Sequence, residues 1–83
     1  MPAYIVKATD ENGWISPPIV ANCQNANDAT QLVRLMVSDV TKVEVKGIRT
    51  DVMQEAFGEL PEGTAVFRSD WTWAENGETP RPY

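Results

Sequence analysis

Apolar residues repeat at helical spacing in one stretch of this chain and at strand spacing in several others. Ala29, Leu32, Val33, Met36, Val37 and Val40 stand at i, i+3, i+4, i+7, i+8 and i+11. That spacing gathers them on one face of an α-helix over residues 29–40, with Gln31, Arg34, Ser38 and Asp39 on the other. Asn25 or Asn27 can cap this helix, and Asp28 suits the positive end of its dipole.

Ahead of the helix, residues 4–9 alternate weakly and are rich in β-formers. Asp10-Glu11-Asn12-Gly13 then supplies a hairpin turn, because Asn and Gly tolerate positive φ. Trp14-Ile15-Ser16 and Ile19-Val20-Ala21 resume an extended pattern on either side of Pro17-Pro18, which removes two backbone donors. The second strand is therefore either interrupted there or set at a sheet edge.

Residues 41–48 read as a strand, with Val43 and Val45 facing one way and Glu44 and Lys46 the other. Gly47 marks its end or a bulge. Residues 51–60, capped by Thr50 and stopped by Pro61, read as a short second helix burying Val52, Met53, Ala56, Phe57 and Leu60. After the Pro61-Glu62-Gly63 turn, residues 64–73 read as one strand with Ala65, Phe67, Trp71 and Trp73 on a common face. Residues 74–83 look like an extended tail. The predicted order is ββαβαβ: one small α+β domain over residues 1–73, an antiparallel sheet of three or four strands with the main helix packed on one face.

Composition agrees with that scale. The chain has 83 residues, 42% of them hydrophobic and 23% charged, proportions of a globular protein rather than a disordered one. It has no His and a single Cys, so an internal disulfide is excluded and a structural zinc site is not expected. Cys23 follows an apolar strand, has no neighbouring base, and reads as a buried thiol. Met1-Pro2-Ala3-Tyr4 does not begin like a signal peptide, and no apolar run approaches a membrane span. A soluble, cytoplasmic protein is the expectation. Without His or a glycine-rich phosphate loop, and with no motif for nucleophilic catalysis, the chain reads as a non-enzyme without cofactor or metal.

Charge changes the picture most. Residues 1–50 hold five acids and five bases, whereas residues 51–83 hold seven acids against Arg68 and Arg81 alone, so that region carries the whole net charge of −5. Nucleic acid and anionic membranes are repelled by such a surface, and a basic protein is attracted. On a helix over residues 51–60, Asp51, Glu55 and Glu59 form one stripe whose pitch, about 5.4 Å per turn, approaches the phosphate spacing of a nucleic-acid strand. Such a stripe either mimics a phosphate backbone or is an ordinary solvated helix face. Phe67, Trp71 and Trp73 are either core or, for a Trp exposed at the strand end, an interface anchor with an acidic rim. Asp51, Glu55, Glu59, Glu62, Asp70, Trp71, Trp73 and Glu75 are the candidate partner-binding residues.

In general style the chain resembles the small phage-encoded inhibitors of bacterial defence, anti-CRISPR proteins above all. The features that carry the resemblance are the hairpin over residues 4–21 around Asn12-Gly13, the helix over 29–40, and the acidic segment over 51–78. It implies a cofactor-free inhibitor that occupies a DNA-binding surface of a CRISPR surveillance complex or nuclease within a bacterial host. The alternative is a structural or assembly-type interaction module, a homodimer that self-associates through the aromatic strand or the edge at residues 4–9.

Overall fold

The computed structural model describes residues 2–75 and 80–82. Along the chain lie β1 (Ala3–Asp10), β2 (Ile19–Asn22), α1 (Ala26–Met36), β3 (Val40–Ile48), α2 (Thr50–Phe57), β4 (Thr64–Phe67), β5 (Trp71–Trp73) and β6 (Pro80–Pro82). Four strands form an antiparallel sheet in the order β3-β1-β2-β4, and β5 and β6 pair separately. The architecture is the predicted small α+β fold in roughly the predicted order.

The sheet is covered on both faces, which follows from β1 itself. Tyr4, Val6 and Ala8 point to one side and join Ile19, Ala21 and Cys23 beneath Ala29 and Val33 of α1. Ala3 and Ile5 point to the other side and meet Val20, Met53 of α2 and Trp71 of β5. Burial of a Val- or Leu-sized side chain contributes about 1.5–3 kcal/mol, so each layer holds the sheet through only a few residues. Since β2 and β3 each run antiparallel to β1, they run alike on either side of it. The chain crosses from β2 to β3 through α1 over one face and returns through α2 over the other to reach β4.

Pro17-Pro18 interrupts the second strand rather than marking an edge, because β2 lies between β1 and β4. Ser16 repairs the gap. Its Oγ accepts from the Ala8 N–H at 3.0 Å and its own N–H donates to the Ala8 carbonyl at 2.9 Å. The turn before it is pinned by Asp10, whose Oδ1 accepts from the N–H groups of Asn12 and Trp14. Gly13 takes the positive φ of 83° that this turn needs. Gly47 lies at the predicted bulge, where the β1–β3 register shifts between Ile5 and Val6.

Several expectations are corrected. The first helix, capped by the Asn25 side chain, stops at Met36 instead of reaching residue 40. Val37 is already extended there, Asp39 turns the chain at φ 55°, and Val40 opens β3. The second helix begins with Thr50 inside it, has Arg49 as an N-cap without a side-chain bond, and ends at Phe57. The strand expected over residues 64–73 is two strands broken by a turn at Arg68-Ser69-Asp70, closed by the Trp71 N–H donating to the Arg68 carbonyl. Pro80–Pro82 pairs with Trp71–Trp73, so it does not trail away as a tail. Residues 76–79 and 83 of that expected tail lie outside the described residues. Of the two edges expected for self-association, residues 4–9 lie in the interior of the main sheet, while the aromatic strand divides: its first half, β4, is an edge of that sheet, and its tryptophans belong to the small hairpin.

Candidate functional site

The end of α2 decides what becomes of the acidic stripe. Gly58 adopts φ 70° and ψ −148°, a conformation reserved for glycine, and its N–H caps Gln54. The helix therefore stops two residues before Glu59, and only Asp51 and Glu55 share it. The third rung of the predicted ladder belongs to the loop that follows.

Two of the candidate carboxylates are compensated by arginines two residues away. Arg49 grips Asp51 through Nε and Nη2 at 3.1 and 3.0 Å, and Arg68 grips Asp70 at 2.9 and 2.7 Å. Each arginine hydrogen bond holds its aspartate below the usual carboxylate range. Lys42 and Lys46 turn to Glu44 instead, at 3.6 and 2.8 Å, and leave the acidic end alone. Glu62 accepts from the Gln24 side chain at 3.1 Å. Glu55, Glu59 and Glu75 are exposed and have no ion-pair partner among the described residues.

Glu55, Glu59, Glu62 and Asp70 border two grooves on the α2 side. One, of about 350 Å³, is lined by Val52, Glu55, Arg68, Asp70 and Trp71 among others. The other, of about 590 Å³, lies between α2 and the loop after it, and Glu59, Glu62, Thr50, Gln54 and Asn22 line it. Asn22 ends β2 and pairs with Ala3, whose side chain lies on the α2 side of the sheet. Only 5% of Asn22 is exposed. Its Nδ2 donates to the Leu60 carbonyl at 2.7 Å, while its Oδ1 is buried without a donor. The Glu59 and Glu62 carboxylates that line this groove favour a group rich in N–H donors.

The aromatics divide differently from the prediction. Trp71 is buried in the α2-side core against Phe57, with ring centroids 5.7 Å apart, so it does not serve as an exposed anchor. Trp73 is half-buried. Its indole N–H donates to the Ser16 carbonyl at 2.8 Å, and the Lys7 ammonium lies 5.3 Å from its ring centroid. Phe67 sits on the α1 side beside Ile19 and Met36 and is half exposed. Trp14 and Ile15, not singled out as site residues in the sequence, are also exposed; Trp14 lines a groove with Phe67, and Ile15 lines another with Trp71 and Trp73. The signal for them was available: a Trp-Ile pair between an Asn-Gly turn and Pro-Pro has no regular strand to bury it. Cys23 is buried, and burial raises its thiol pKa, with Asp28 and Glu62 adding to the effect.

Comparison of the chain with protein-family models, with curated proteins and with solved structures returns no match. No helix among the described residues is long and apolar enough to cross a membrane.

Proposed function

We propose that this chain is a non-enzymatic inhibitor that docks through its α2 side on a basic, nucleic-acid-binding protein of bacterial defence, in the host cytoplasm. The observation that carries the reading is the groove of about 590 Å³ in which Glu59 and Glu62 supply negative charge. An arginine or lysine side chain that normally holds a phosphate matches that chemistry, since it brings several N–H donors and a positive charge together. Glu55 in the adjoining groove widens the field that steers such a partner in. The chain then occupies cationic groups one by one. A continuous run of carboxylates at phosphate pitch plays no part, because the helix that would carry it ends at Phe57.

The test is competition for DNA. Added to CRISPR surveillance complexes or nucleases, the protein is expected to displace labelled target DNA in a mobility-shift assay. The Glu59→Lys, Glu62→Lys double variant is expected to lose that effect while keeping its circular dichroism spectrum. Displacement unchanged by the double reversal, or no displacement from any such effector, overturns the reading.

A further inference from the structure

The main sheet ends in two edges of opposite character. At β3 the exposed edge is blunted by Lys42, Glu44 and Lys46 and by two register shifts against β1. Natural sheets use such charges and bulges to prevent strand addition. At β4 the edge reads Thr64-Ala65-Val66-Phe67, with no charge, no proline and an unbroken register against β2. The apolar surface left beside it is large for so small a molecule. Phe67 is 49% exposed and Leu35 of α1 is 86% exposed. Leu35 lines a groove with Glu62 and Gly63 of the turn entering β4, so it lies on the β4 side of its helix.

We propose that β4 is a dimerisation edge, on which a second copy of this chain adds antiparallel about a two-fold axis through Val66. A two-fold normal to the sheet keeps α1 of both copies on one side, which requires partners of like facing. Centred on Val66, the register sets Val66 against Val66 of the second copy and each Phe67 against the small Ala65 of the other. Large meets small on the α1 face, and the exposed Leu35 of each copy is brought toward the axis. The same register brings the Arg68–Asp70 pair of one copy to the turn that carries Glu62 of the other, twice over. Two copies of a chain of net charge −5 thus meet at a strip, Thr64–Phe67, that carries no charge. A second copy fits all of these features together, and the result is one continuous eight-stranded sheet. The proposal does not rest on the inhibitor reading: it is argued from the β4 edge, and Glu62 borders both surfaces.

Sedimentation equilibrium over a concentration series reaching millimolar tests it directly. The wild-type chain is expected to move from monomer to dimer mass, and Phe67→Glu, at a half-exposed position, is expected to weaken dimerisation about tenfold or more by placing a charge against an apolar face while keeping its circular dichroism spectrum. Directly opposed residues in an antiparallel pair lie about 4.5–5.5 Å apart at Cα, within reach of a disulfide. Val66→Cys should therefore cross-link with diamide, whereas Thr41→Cys on the β3 edge and the wild-type chain, whose Cys23 is buried, should not. A monomer mass throughout the series, an unchanged dimer in Phe67→Glu, or cross-linking at Thr41 but not at Val66 overturns the proposal.

Discussion

Ser16 carries more of the fold than its size suggests. It is buried at the point where two prolines silence the ladder, and it makes three hydrogen bonds there: to the Ala8 N–H, the Ala8 carbonyl and the Trp73 indole. Ser16→Ala leaves the Ala8 N–H inside the protein without an acceptor. The expected cost is about 1–3 kcal/mol, read as a lower urea midpoint at unchanged slope. The paired aspartates behave differently because they are exposed. Asp51 and Asp70 have folded pKa values lowered by Arg49 and Arg68, so their stabilising effect is present above the unfolded value of about 3.9 and drains away as pH falls through the folded values. In an NMR titration of the carboxyl carbons both should titrate below ordinary aspartate. Arg49→Gln should return Asp51 to the ordinary range and leave Asp70 where it was.

Elements were legible in the sequence where one physical effect set their limits. The core of α1 could be read because Ala29, Leu32 and Val33 recur at helical spacing after an Asn cap. Its C-terminus could not, because Val37 and Val40 continue the apolar period from extended conformations that reach the same core. In β1, the alternation was weak for a reason the fold supplies: both faces are buried, so a polar face was never needed. The acidic stripe failed at a glycine, since a helix stop at Gly58 competes with a stop at Pro61 and the period alone cannot choose between them. The orphaned Asn22 oxygen was beyond the sequence altogether, because it depends on a loop that follows 38 residues later. Gly58→Ala tests the helix stop. A Cβ there meets no neighbouring atom, yet φ 70° with ψ −148° disfavours any side chain. The expected loss is about 1–3 kcal/mol of backbone strain, measured by thermal unfolding.

At the scale of the whole molecule, the two cores share β1 and β2 and differ only in the layer that closes each face. Ala3, Ile5 and Val20 serve one core while Tyr4, Val6, Ile19 and Ala21 serve the other, so neither can open without disturbing strands that the other needs. Unfolding should therefore be a single cooperative event although the helices never meet across the sheet. Trp71 lies in the α2-side core, so tryptophan fluorescence reports chiefly on that layer, while far-UV circular dichroism weights the longer α1. The two transitions should coincide in urea. Met53→Ala removes the one fully buried anchor of α2 and should cost about 2–5 kcal/mol, a large part of the 5–15 kcal/mol typical of a domain. If the cores are coupled as their shared strands require, that substitution lowers both midpoints together. A fluorescence midpoint that falls while the dichroism midpoint stays in place would show that the α2 layer unfolds by itself, and that the sheet with α1 alone is a stable body.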